Sequence, residues 1–161
     1  MSKAVLISIR PKWVEKIANG EKTIEVRKTR PKLATPFKAY IYCTQPKYPH
    51  EDFILTDYPK PQFYGGGKVI GEFTCDQFWI GTPHNTNLLF CMAACMDGFD
   101  TEKYAKGKTL YGWHISDLHI YDTPKELSEF TGLRDTKFGA APHEIKRPPQ
   151  SWCYVEAMKD E

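Results

Sequence analysis

The stretch Gly20 to Arg30, GEKTIEVRKTR, decides how this chain is read. From Lys22 to Arg30 polar and apolar residues alternate, the two-residue period of a strand with one buried face. Ile24 and Val26 share the face that enters the core, with Lys22 and Lys28 at its rims. Thr23, Glu25 and Arg27 share the other face, a hydroxyl, a carboxylate and a guanidinium at about 6–7 Å intervals. Glu25 and Arg27 are close enough to pair as a solvated edge. The functional alternative has Arg27 on a phosphate while Glu25 accepts from a base amino group or a ribose hydroxyl.

Working outward, Ala4 to Ile9 (AVLISI) is a β-branched apolar run and reads as a strand. Pro11 suits the first turn of a helix over Pro11 to Asn19, where Trp13, Val14, Ile17 and Ala18 recur at helical spacing. Gly20 ends that helix. Phe37 to Cys43 is a third strand. Residues 45–67 carry Pro46, Pro49, Pro59 and Pro61 and close on Gly65-Gly66-Gly67, so they read as an extended loop insertion whose aromatics (Tyr48, Phe53, Tyr58, Phe63, Tyr64) pack on the body. Lys68 to Phe73 is a strand continuing towards Ile80. Thr86 to Asp97 is a helix, with a second helical stretch near Thr101 to Ala105. Leu110 to Tyr121 is a strand, Pro124 to Phe130 a short helical turn, 131–149 irregular, and Ser151 to Ala157 the last strand. The helices do not alternate regularly with the strands, so a parallel sheet is not expected. The pattern predicts one α+β domain over residues 1–161, mainly β: a partly closed, mostly antiparallel barrel of about six strands decorated by short helices.

Charge is unevenly distributed. Residues 1–49 hold 11 Lys/Arg against 3 Glu, a local +8, although the whole chain is only +2. An excess of this kind attracts phosphates. The five cysteines are isolated or, for Cys91 and Cys95, four apart on one helix face; no CxxC pair occurs. Buried reduced thiols are the reading, with no metal and no cofactor expected. No apolar run approaches the ~18 residues that span a bilayer. The start MSKAVLISIRPKW has neither a long apolar stretch nor a small-residue cleavage site. A cytoplasmic protein without a membrane partner is therefore expected.

Other candidates are fewer. Tyr111, Trp113 and Ile115 share one face of their strand, and the two aromatics are either core or a platform on which a base stacks, as is Trp13 in the first helix. His114 and His119 are five apart and fall on opposite faces, which argues against a shared metal. His50, His84 and His143 fall in loops. Gly65-Gly66-Gly67 lacks the strand, helix and lysine that a phosphate loop needs.

The run SIRPKWVEKIANGEKTIEVRKTRP, through Ser8, Ile9, Arg10, Pro11, Gly20, Lys22, Thr23, Glu25 and Arg27, resembles the start of an ASCH domain. YIYCT, KVIGEF, YGWHISDLHIYDTPKEL and the closing RPPQSWCYVE are similar to later parts of the same family, in its small bacterial or phage-type members. The resemblance implies a PUA-like fold that binds RNA or a nucleotide, with single-stranded DNA as a further partner. It places a single-stranded or modified base in a basic cleft formed by Ser8, Arg10, Lys12, Lys22, Thr23, Glu25, Arg27, Lys28, Arg30, Tyr111 and Trp113. One bacterial branch of the family deacylates acetylated cytidine with a lysine, a threonine three residues later and a distant glutamate. Lys22 matches that lysine, but Glu25 stands at the threonine position. An amidohydrolase reading therefore needs Lys22 as base, Thr23 as nucleophile and Glu25 or Glu72 as the orienting acid. A protein-interaction scaffold using the basic face is a third reading.

Overall fold

The run Lys3–Ile9 (β1) is buried at six of its seven positions and occupies the middle of the sheet. A continuous apolar strand of this type needs cover on both faces. It lies parallel to Phe37–Cys43 (β3) and antiparallel to Trp152–Glu156 (β10). The computed structural model describes residues 2–45, 53–54, 63–64, 66–82 and 87–159.

The remaining strands extend this centre on both sides. Phe53–Ile54 (β4) and Phe63–Tyr64 (β5) form a separate antiparallel pair. Lys68–Gly81 (β6) pairs with β3 and with Leu110–Lys125 (β7), and β7 carries Ile24–Arg27 (β2) at the edge. Thr131–Thr136 (β8) and Gly139–Glu144 (β9) form the opposite edge, giving the order β2-β7-β6-β3-β1-β10-β8-β9. The β6–β7 ladder shifts register three times, and such bulges bend a long ribbon strongly.

Three helices cover the sheet. Pro11–Ala18 (α1) has proline in its first turn and buries Val14 and Ile17. Leu88–Ala94 (α2) is capped by Asn87, whose side chain accepts from Phe90 N at 2.8 Å. Gly98–Ala105 (α3) starts with a reciprocal capping box between Asp97 and Asp100. Under α1 lies the core of Ile7, Ile9, Ile41, Phe73 and Trp113. Leu6, Tyr40, Tyr42, Phe130 and Val155 pack on the other side of the central strands. Ile24 and Val26 bury themselves against Phe90, Ala94 and Ala105, so β2 is held by the helices that follow it in the chain.

The α+β, mainly β class is the one expected, and the sheet is open, with β2 and β9 as its ends. Two details differ. The main sheet has eight strands, not six, because 131–149, read as irregular, contains the β8–β9 hairpin. Half the positions of each strand are exposed, and neither shows a regular apolar alternation. The expected strand Lys22–Arg30 contracts to Ile24–Arg27. Most of the expected loop insertion at 45–67, including its aromatic side chains, lies outside the described residues, as do His50, His84 and Thr86. Among the described residues no helix is long and apolar enough to cross a membrane.

Candidate functional site

A cleft of about 610 Å³ opens between the end of β1, the start of α1, β2 and the α2–α3 turn. Its inner wall carries the charged residues of the opening stretch. Gly20 takes a left-handed φ of +79°, and Lys22 N then donates to Lys16 O at 3.0 Å. This turn holds Lys22 ahead of the strand, outside its alternation, and brings its side chain to the same side as Glu25 instead of the opposite face.

Lys22 is not the exposed rim cation expected: the residue is 3% exposed. Its Nζ donates to Ala94 O at 2.6 Å, lies 4.8 Å from the centre of the Trp13 ring and stands 3.9 Å from Glu25 Oε2. Desolvation by burial lowers its pKa, against the opposing pull of Glu25 and Cys95 and with some help from Arg27 and Lys16.

Glu25 is 5% exposed. Its Oε1 faces Arg27 Nε at 3.4 Å, whereas Oε2 is buried with no hydrogen-bond partner among the described residues. A buried carboxylate oxygen without a hydrogen bond is costly unless a donor reaches it. Arg27 completes the row. Its Nη2 donates to Ser8 O at 2.6 Å and its Nη1 to Ser151 Oγ at 3.1 Å. The guanidinium thus ties β2 to β1 and to the segment before β10, a side-chain link between strands that share no ladder.

The other expected site residues separate into three groups. Ser8 and Arg10 line the cleft, although the Ser8 hydroxyl is engaged with Pro149 O at 2.6 Å. Lys12 and Lys28 are exposed, with their Nζ atoms over the rings of Trp13 and Tyr104 at 4.6 and 4.8 Å. Thr23, Arg30, Tyr111 and Trp113 do not line it. Thr23 is exposed, and its backbone is taken up by Ala93 O and Ile115 N. Arg30 lies over Phe78 and Tyr111, at 5.5 and 5.3 Å, beside a separate hollow. Trp113 is fully buried, its Nε1 donating to Thr29 O at 3.3 Å, so it belongs to the core and offers no face to a base.

Glu72 is also elsewhere. It pairs with Lys38 at 2.8 Å and accepts from Tyr121 at 3.0 Å in another hollow, so it does not orient Lys22. Sequence reasoning missed Thr44, Met96, Tyr104 and Gln150, which complete the cleft wall. They come from four separate segments, and no local pattern marks them. Asp76 and Ser116 both approach His114 at Nδ1, at 2.6 and 3.3 Å, so the serine is not set against the far ring nitrogen as a nucleophile would be. Among the described residues no cluster of three or more His, Cys, Asp or Glu could hold a metal.

No family model and no curated protein matches the sequence. Solved structures do match the fold. The crystal structure of an ASCH protein from Zymomonas mobilis superposes with a TM-score of 0.65 at 19% identity, over 95% of this chain and 87% of the other. A serine-to-alanine variant of that protein gives 0.65 at 18% identity, over 95% and 88%. A tyrosine-to-phenylalanine variant gives 0.60 at 18% identity, over 96% and 91%. At these identities the likeness establishes the fold.

Proposed function

We propose that this chain, which has the PUA-like fold of ASCH proteins, binds RNA or a nucleotide and holds one exposed base in the Lys22–Glu25 cleft. The observation that carries the reading is Glu25 Oε2, buried with no hydrogen-bond partner among the described residues and facing only the Lys22 ammonium, at 3.9 Å. A base edge presenting an N–H donor would satisfy it, and an acceptor next to that donor would meet the Lys22 ammonium. Trp13 supplies an aromatic surface in the same wall, while Arg10, Lys12 and Lys28 provide charge for the phosphates. A cleft of about 610 Å³ suits an unstacked base better than a duplex. A cytoplasmic location fits such a partner.

The test is fluorescence anisotropy with a short labelled single-stranded RNA, competed by mononucleotides, at low and high salt. Binding that weakens as salt rises and is lost in Glu25→Ala supports the proposal. Binding that ignores both changes, or its absence with RNA, single-stranded DNA and nucleotides alike, overturns it.

A second reading, hydrolysis of an acylated nucleoside amine, draws support from the lowered pKa of Lys22. A buried lysine nearer to losing its proton is a better base. The exposed position of Thr23 removes it as nucleophile; of the two aliphatic hydroxyls that line the cleft, Ser8 donates to Pro149 O, which leaves Thr44 as the candidate. The chemistry then requires Thr44 or a water to attack the acyl carbon while Lys22 takes its proton; the C–N bond breaks as that proton passes to the leaving amine, and where Thr44 has attacked, a water then hydrolyses its ester to release acetate. Acetate release from acetylcytidine, abolished by Lys22→Met, is the expected outcome; no release excludes that substrate.

A further inference from the structure

Strand alternation gives the central sheet a second face. Ala39 and Ile41 enter the core under α1, whereas Tyr40 packs with the opposite cluster. On that opposite side a hollow of about 390 Å³ is walled by Lys38, Glu72, His119, Tyr121, Lys125 and Lys159. It shares no lining residue with the Lys22 cleft.

The floor of the hollow is firmly built. Glu72 receives the Lys38 ammonium on Oε2 at 2.8 Å and the Tyr121 hydroxyl on Oε1 at 3.0 Å. Its charge is therefore balanced within the hollow and does not repel an anion. Burial, reinforced by the Glu72 charge, pushes the Tyr121 phenol up, so it remains a donor. Met158 N donates to Tyr40 at 2.8 Å and Ala157 N to Ser2 O at 2.9 Å. These bonds fix the segment that brings Lys159 to the rim.

Two further cations line the hollow. Among the described residues, neither Lys125 nor Lys159 pairs with a carboxylate; Lys125 Nζ lies 5.1 Å from the Tyr121 ring centre. The His119 ring stands edge-on to Tyr121 at 5.5 Å and forms an aromatic wall with it. Among the described lining residues Lys38 and Glu72 cancel, so Lys125 and Lys159 leave a charge of +2. That charge matches a phosphate dianion. The volume exceeds what a bare phosphate fills, and the aromatic wall suits an organic group attached to it.

We propose that this hollow is a second binding site, for a small phosphate monoester of nucleoside-monophosphate size. Lys125 and Lys159 hold the phosphate, and the His119–Tyr121 pair contacts the organic part. The site does not depend on the reading of the Lys22 cleft.

The experiment is amide chemical-shift mapping on the full chain, titrated separately with inorganic phosphate and with AMP. Saturable shifts at His119, Tyr121, Lys125 and Met158 with both probes, and tighter binding of AMP, are expected. A Lys125→Gln/Lys159→Gln double variant, still folded by its spectrum, weakens these shifts about tenfold and leaves those around Lys22 and Glu25 unchanged. Absence of saturable shifts on this face, or midpoints that survive the double variant, overturns the site. Equal midpoints for phosphate and AMP overturn the monoester and identify free phosphate as the ligand.

Discussion

Arg27 on β2 donates from Nη2 to the backbone carbonyl of Ser8 on β1 at 2.6 Å, joining two strands that share no ladder. The same guanidinium reaches Ser151 and faces Glu25. A planar fork with several donors suits this three-way junction, whereas a lysine offers a single point of charge. Arg27→Ala should therefore cost about 3 kcal/mol of stability, since it also leaves Glu25 without its guanidinium partner. Arg27→Lys should recover only part of that loss. Arg10→Ala, at the exposed rim, should stay within about 0.5 kcal/mol of wild type. Urea unfolding of the three variants checks the ordering, and equal stabilities would show that Arg27 does not hold β2 to β1.

Glu25 makes a sharper prediction about recognition. If Oε2 awaits an N–H donor, the wild-type cleft should prefer cytidine over N4,N4-dimethylcytidine, which has lost its amino hydrogens. A hydrogen bond to a charged group contributes about 1.5–3 kcal/mol, so the preference should be roughly ten- to hundredfold. Glu25→Gln keeps the shape and removes the charge, and it should bring the two nucleosides close together. Competition titrations read the ratio directly. A wild-type protein indifferent to the methyl groups would place the base elsewhere.

How much of this was legible from the sequence depended on whether a residue's neighbours were local. Ile24 and Val26 alternate with Glu25 and Arg27, and that pattern placed the two pairs on opposite sides of β2 correctly. Lys22 belongs to the same run of letters but sits before the strand, held by its bond to Lys16 O, so alternation put it at an exposed rim when it is buried. Trp113 shows the same limit from the other direction. A face shared with Tyr111 is visible in the sequence, but the burial of that face against Phe37, Phe78 and Trp152 is long-range. Tyr104 and Gln150 reach the cleft from α3 and from the segment before β10, which no periodicity connects to Gly20–Arg30.

Gly71 gives a test of the bent β6–β7 ribbon. A Cβ added there would meet His119 O at 2.6 Å and the Ile120 Cα at 3.1 Å, both backbone atoms that cannot step aside. Gly71→Ala should therefore destabilise the chain by about 1–3 kcal/mol, the range for overpacking. Gly98→Ala, where a Cβ meets nothing within 4 Å, is the matched control and should be close to neutral. Thermal or urea denaturation separates them. A neutral Gly71→Ala would mean that β6 and β7 do not approach as closely at this point.

Lys22 ties the cleft to pH. Its pKa lies below the ordinary 10.5, chiefly because burial penalises the ammonium, while the Glu25 charge works the other way. Carbon-13 labelling at lysine Cε should therefore resolve a resonance, assigned by its loss in Lys22→Met, whose midpoint lies below 10.5. Glu25→Gln should move that midpoint lower still, because it removes the charge that favours the protonated form. The same shift has a consequence for stability. Between the folded and unfolded pKa values the unfolded chain binds more protons, so stability rises with pH through that alkaline window. Below the folded value both states are protonated and the full burial penalty applies. Lys22→Met should abolish this part of the rise, measurable as urea stability at a series of pH values up to 10.5. If no lysine titrates early, or if Glu25→Gln raises the midpoint, the charge balance assigned to the cleft is wrong.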